Sequence, residues 1–298
     1  MEKDSLPLLD ETDIEILLHR DIHFGGNFKI MLDYYKKDGI GAIKELPVKK
    51  IEKLMQAEQR ANQNLSDLLL PERSKEIIED AKNIYLSLRE SYEKNETSKI
   101  ALAITDLILT EEYNPENEIK AVVNYGKEIT PLLLDLLKTD KFYSPYYPGY
   151  GRAPIFAAYC LELIQDEKAI PTLFQMMGHG NFFTDEALIL ALVSFNDKAR
   201  EFLLKRLVHE PFSKENEHAA IVLTAMDEDE NTSKTCLKVL SHPEIKKHIV
   251  LANYLLLGCS GLKTEEDRAL FSRLKDSIPG IMKHEAEMIL KSWKKNSR

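Results

Sequence analysis

From residue 128 onward the chain alternates short apolar bursts with polar turns at helical spacing. "EITPLLLDLL", "KAIPTLFQMM", "KAREFLLKRL", "TSKTCLKVL" and "DRALFSRL" each read as a short amphipathic helix anchored on a leucine. Those leucines, Leu133, Leu173, Leu203, Leu237 and Leu270, lie 40, 30, 34 and 33 residues apart. Between and after them come five second helices: "APIFAAYCLELI", "DEALILALVSF", "EHAAIVLTAM", "KHIVLANYLLLG" and "KHEAEMILKSW". Their first turns align on Arg152, Asp185, His218, His248 and His284, spaced 33, 33, 30 and 36. A helix pair that recurs every thirty-odd residues predicts an α-solenoid, a stack in which each pair leans only on its neighbours. No segment alternates cleanly over six residues, so strands are not expected.

The second helices are rich in alanine (Ala157, Ala158, Ala187, Ala191, Ala219, Ala220 and Ala252), which lets neighbouring helices approach closely. Pro154 suits a first helical turn, Ser241 stands three residues before Glu244 as in a capping box, and Thr264 precedes an acidic first turn. Residues 1–126 carry no such period. "IEKLMQAEQRANQNLSDLLL" and "SKEIIEDAKNIYLSLRESY" predict two long helices separated at Pro71. "SKIALAITDLIL" and "NEIKAVVNYG" predict two more that lead into the repeats. The expected division is thus an N-terminal helical region over 1–126 and five helix pairs over 127–298.

"RAPIFAAYCLELIQDEKAIPTL" resembles the HEAT-like repeats named after phycobilisome lyases. The matching positions are Arg152, Ala157, Ala158, Leu161, Asp166, Ala169, Ile170, Pro171 and Leu173. The other four units match it less closely, and the resemblance covers residues 127–298. It implies an all-α fold, a right-handed α-α superhelix of the HEAT-like or armadillo type, here with an N-terminal helical cap that covers the first repeat. It says almost nothing about function.

Charge narrows the partners. The net charge is −9, with 17 Lys/Arg against 25 Asp/Glu in residues 1–126 and 23 against 24 in residues 127–298. Nucleic-acid affinity rests on neutralising phosphates, so this balance argues against it. The basic end "KHEAEMILKSWKKNSR" is expected to be a frayed, solvated helix terminus, and "MDEDEN" a solvated turn. The opening "MEKDSLPLLDE" has no apolar core flanked by basic residues, and no apolar run is long enough to span a bilayer, so neither leader nor membrane anchor is expected. Cys160, Cys236 and Cys259 each sit in an apolar helical pattern, which predicts buried free thiols and a cytoplasmic location.

Chemistry-bearing residues are few. His218, His248 and His284 occupy comparable places near the starts of the second helices, with Asp185 in the same register, so they are candidates for one polar inner face. His284-Glu285 resembles the His-Glu pairs of HEAT-repeat hydroxylases that bind a di-iron centre. Ala219 and Ile249 stand where two further carboxylates would be needed, so no metal and no other cofactor is expected. In "HRDIHFGGNF", His19 and His23 are spaced to share a metal on one helical face, but the glycine pair that follows predicts a charged helix end and a tight turn. Neither "IHFGGNF" nor "DGIGA" has dinucleotide or phosphate-loop spacing.

One segment departs from the helical pattern. "DKFYSPYYPGYGR" puts Tyr143, Tyr146, Tyr147 and Tyr150 among prolines and glycines, with Arg152 at its base. It is inserted between the two helices of the first pair, which explains the spacing of 40. Tyrosines give large contact area with few torsions, a composition found at recognition surfaces. Two readings are open: a protruding loop that binds a partner, or a loop folded back to seal the junction with the N-terminal helices. The sequence therefore predicts a non-catalytic scaffold that binds a protein or peptide through its concave face and this loop. The alternative is a HEAT-repeat enzyme, hydroxylase-like or chromophore-lyase-like.

Overall fold

Asp10 starts the first helix: its carboxylate accepts the amide of Asp13 while the Asp13 side chain accepts the Asp10 amide, a reciprocal cap. The structure, a computed structural model, describes residues 10–37, 46–93, 98–275 and 280–296, and among these every regular element is helical. The chain divides into two compact units, one through Cys160 and one from Leu161. The division falls later than 126/127. Residues 127–152 keep company with the N-terminal helices because the tyrosine-rich loop is hydrogen-bonded to them.

In the first unit, α1 (Glu11–His23) ends at the expected turn, and Asn27 caps α2 (Phe28–Lys36) by accepting the amides of Lys29 and Ile30. The single helix expected over "IEKLMQAEQRANQNLSDLLL" is two. α3 (Val48–Ala61) stops at Asn62, which adopts φ +49°, and α4 (Leu65–Leu69) starts on Asn64, whose side chain accepts the amide of Ser66. Asparagine tolerates the left-handed region and competes well as a helix cap, so "ANQN" breaks a pattern that remains periodic in its apolar positions. α5 (Glu72–Glu93), α6 (Lys99–Leu109), α7 (Glu116–Val123), α8 (Thr130–Lys138) and α9 (Ala153–Ile164) follow; α9 runs across the division between units. "DGIGA" lies outside the described residues.

The second unit holds α10 (Ile170–Gln175), α11 (Phe182–Ser194), α12 (Asp197–Leu207), α13 (Lys214–Ala225), α14 (Glu230–Leu240), α15 (Ile249–Gly258), α16 (Glu265–Leu274) and α17 (Gly280–Asn296). Each falls on a segment read as a repeat helix. α12 packs on α13 and α14 on α15, while α13 also touches α11, α15 also touches α17, and α14 lies beside α12 and α16. First helices therefore neighbour first helices and second neighbour second, an arrangement compatible with an α-solenoid. Three local expectations change. Ser241 caps no helix start; it closes α14, its hydroxyl donating to Leu237 O, and His242 caps the short 3₁₀ turn Pro243–Lys247. Tethering replaces fraying at α17, where buried Trp293 donates its indole N–H to Ser260 O at 2.6 Å and meets the Phe271 ring edge-on. In "MDEDEN", Asp229 caps α14 through Thr232 as expected, but Met226 is buried, so only part of that turn is solvated.

Small residues set the helix spacing. Ala187, Ala191, Ala219, Ala220 and Ala252 are buried where the second helices meet. Gly258 is tighter still: a Cβ there would stand 2.6 Å from Cys236 Sγ. Gly258→Ala should therefore destabilise the protein by roughly 1–3 kcal/mol through overpacking. Chemical denaturation is the check, and adding Cys236→Ala should recover part of the loss; independent effects in the two would show that α14 and α15 do not meet there.

Candidate functional site

The expected charged helix end on α1 is instead buried. Ile16, Leu17 and Ile22 place the inner face of α1 in the core, and His19, Arg20 and Asp21 turn inward with them. A buried cation requires counter-charge and a full set of acceptors. Arg20 finds them: Asp21 and Glu58 as ion pairs, Asn64 Oδ1 at 2.8 Å, Ser66 Oγ at 2.9 Å, and the Phe28 ring with its centroid 4.4 Å from the guanidinium carbon. Glu58 also accepts the amide of Leu65. One side chain thus ties α1 to α2, α3 and α4.

His19 and His23 share the next stretch of that face, ring centroids 4.7 Å apart. His19 Nε2 meets the Tyr35 hydroxyl at 2.8 Å. Both nitrogens of His23 are committed, Nε2 to Pro145 O at 3.0 Å and Nδ1 to the Tyr85 hydroxyl at 2.9 Å, so the pair is not poised to share an ion. Because a carbonyl only accepts, Nε2 carries the proton and the Tyr85 hydroxyl donates to Nδ1. Burial lowers the pKa of His23 to about 4, against the bond to Pro145, and that of His19 to about 3, with help from the neighbouring His23.

The bond to Pro145 brings the tyrosine loop into this network. Tyr150 stacks on His23 with centroids 4.4 Å apart, donates to Glu111 at 3.2 Å, and has its pKa raised by burial and by the nearby Tyr85 and Glu111. Tyr147 donates to Asp80 at 2.8 Å, and burial, then that hydrogen bond and the Asp80 charge, raise its pKa to about 12. Lys141 pairs with the same carboxylate at 2.7 Å. Tyr146 and Tyr147 pack on the core of the first unit, while Tyr143 donates to Leu137 O at 2.7 Å. Arg152 donates to the carbonyls of Glu112 and Thr110. None of the four tyrosines is fully exposed. Gly149 makes the fold-back possible: it has φ +83°, and a Cβ there would stand 2.9 Å from Ile108 O. The protruding conformation is not the one adopted. The loop lies along α1 and α5, which fits the sealing reading.

In the second unit the aligned polar residues do not converge. Asp185 accepts the amide of Gly178 at 2.8 Å, closing the turn before α11. His218 packs against Gly178 and edge-on to Phe174; burial lowers its pKa, and the charge of Asp185 opposes that shift. His248 stands at the start of α15, 6.1 Å from the Phe212 ring. His284 is exposed in the first turn of α17, and Glu285 is half-buried. Only Asp185 and His218 are neighbours. Among the described residues, no group of three or more His, Cys, Asp or Glu side chains could hold a metal ion. Cys160, Cys236 and Cys259 are free and buried, and burial pushes the first two thiols up to about 12.

What the second unit does present is an apolar face. α15 contains no charged residue, and α11 carries charge only at Asp185 and Glu186 in its first turns. The flanks of α13 and α15 meet neighbouring second helices and their backs meet first helices, so exposed residues on them point out of the layer. Val250 is 48% exposed and Leu257 37%, seven residues apart on one side of α15. Leu190 on α11 is 49% exposed, Met288 on α17 is 54% exposed, and Ile221 on α13 is half-buried.

Two outcomes test the first unit. Replacing Tyr146 and Tyr147 with alanine should lower stability by about 2–4 kcal/mol, as for other half-buried aromatic truncations that also lose a hydrogen bond, measured as a fall in Tm. Acid should act through the histidines. They are neutral when folded and protonate near pH 6.5 when unfolded, so stability is complete above that pH. It falls as the pH drops from 6.5 towards 4, by a few kcal/mol on the order expected for such shifts. Urea titrations across this range should show the slope, and His23→Gln should flatten it.

Among the described residues no helix is long and apolar enough to cross a membrane. Compared with protein-family models, with curated proteins and with solved structures, the chain matches none.

Proposed function

We propose that this protein is a non-catalytic helical scaffold of the HEAT-repeat type, which binds a protein or peptide partner across the open face of its second helices. The observation that carries this reading is the set of exposed apolar residues on three second helices, Leu190 on α11, Val250 and Leu257 on α15 and Met288 on α17, with half-buried Ile221 on the intervening α13. Contiguous apolar surface on a soluble fold marks a place where something docks. A solenoid supplies such a surface by construction, because stacking helix pairs leaves one side of the second-helix layer open. The right-handed superhelical form belongs to this reading, as implied by the repeat resemblance at residues 152–173.

The acidic balance disfavours nucleic acid as the partner. Buried thiols fit a reducing compartment, the cytoplasm. The tyrosine loop takes a structural part in this scheme, holding α8 and the start of α9 to the N-terminal helices, and Asp185 closes the turn before α11.

A photo-crosslinking residue placed at Leu190 or Leu257 in cells of the source organism should give a defined adduct. The same residue at Lys205 or Lys234 on the first helices should give none. Adducts of equal yield from both layers, or none from the second, would remove the face as the binding surface.

A further inference from the structure

The charges that border the apolar face differ on its two sides. From α10 to α16, among the described residues, helices within a pair and consecutive pairs alike are joined by short connections. α12 lies beside α14 and α13 beside α15, so among the described residues the connections leading out of second helices fall on one edge, and those leading into them on the other.

The outgoing edge is acidic. It carries Asp197 after α11, Asp227 and Glu228 after α13, and Glu265 and Glu266 after α15. Acidic residues in a first turn stabilise the helix that follows, and Asp229 fills that role by capping α14 through Thr232. Asp227 and Glu228 precede the cap, outside the helix, so helix stabilisation does not account for them. Both are exposed, and the Asp197 side chain is 99% exposed. The ingoing edge carries both signs, and they pair with one another: Lys214 with Glu217, Lys247 with Glu244, Arg206 with Glu215. Cations on the outgoing edge offset part of its charge, Arg200 lying 3.9 Å from Asp197 and Lys263 4.0 Å from Glu230. The acids outnumber them and Asp227 and Glu228 remain exposed, so this border keeps the excess of negative charge.

An occupant of this face must also satisfy its own backbone. The second helices have their amides and carbonyls engaged internally and offer no edge to an extended strand. A helix brings its backbone already bonded and can lay an apolar side on the face. Neighbouring helices pack about 8–10 Å apart, so crossing α11, α13 and α15 spans on the order of 20 Å, which about 14 helical residues cover at 1.5 Å each. Resting on the reading above, we infer that the face takes an amphipathic α-helix of a partner protein, apolar side down, with lysine or arginine along the flank that meets Asp197, Asp227 and Glu228.

Two synthetic helical peptides of about 18 residues, a length that exceeds the span, test this with the full-length protein. They share one leucine stripe and differ only in carrying lysine or glutamate along one flank. Fluorescence anisotropy at physiological salt should show the lysine peptide binding at least about tenfold tighter, equivalent to about 1.4 kcal/mol. Asp227→Lys with Glu228→Lys should erase that preference, and Val250→Glu with Leu257→Glu should abolish binding of both peptides, with circular dichroism confirming that each variant folds. Equal affinity for the two peptides, or lysine-peptide binding that survives Val250→Glu with Leu257→Glu, would overturn the inference. If neither peptide binds while the crosslinks at Leu190 and Leu257 form, the partner is not an amphipathic helix and the scaffold reading stands. If both fail, both fall.

Discussion

A helix without charged side chains has to bury most of its surface, and α15 is such a helix. Its ten residues from Ile249 to Gly258 contain only apolar side chains, glycine, one asparagine and one tyrosine. α13, α14 and α17 cover three of its sides, and Gly258 lets Cys236 of α14 approach its backbone closely. The order of the second unit follows from this demand: each second helix needs a first helix behind it and a second helix on either flank. First helices, which carry Lys205, Lys234, Lys238 and Arg273 outward, can face water and form the other layer. On the remaining side Val250 and Leu257 stay exposed, and this is where the apolar face lies.

The first unit meets the opposite constraint. It buries charge, and buried charge must be paired where it stands. Arg20 is the hub, and its partners come from three other helices or their caps, so the geometry of α1 fixes α3 and α4 as much as any apolar contact does. The tyrosine loop extends the same logic outward. His23 holds a backbone carbonyl of the loop, Asp80 holds Tyr147 and Lys141, and Glu111 holds Tyr150. A segment rich in proline and glycine thereby becomes part of a folded unit without forming a long helix.

The helix pairs were legible in the sequence because their contacts are local: each element's apolar phase, cap and turn lie within a few residues of it. Thr264 and Asp229 cap helices where their neighbours suggest they should. The break at Asn62 was hidden by an apolar period that runs through it, and only the two closely spaced asparagines hinted at it. The burial of Arg20 was harder to read. Its phase on α1, four residues after Ile16, pointed inward, but Glu58 and Asn64 are 38 and 44 residues away, and nothing local joins them. The loop posed the same difficulty. Its composition announced aromatic surface, but whether that surface met solvent or protein depended on Asp80, 67 residues from Tyr147. The apolar face could be read as helices with too few charges, and its acidic border as acids placed ahead of a cap.

In the proposed scaffold, folding and binding draw on different residues of the same helices. In a stack where each pair touches only its neighbours, stability resides in the buried flanks, in residues such as Leu188, Ala219 and Leu255. Leu190, Val250 and Leu257 contribute little there, since an exposed side chain gains almost nothing from the hydrophobic effect, and surface substitutions usually shift stability by about 0.5 kcal/mol or less. Fold stability alone thus gives no reason for leucine and valine at these positions, where a charged residue would serve the helix as well and solubility better. The same holds for Asp227 and Glu228, which lie beyond the reach of any cap. Residues that the fold does not require, gathered along one face and one border of it, are accounted for most simply by something that lies against them.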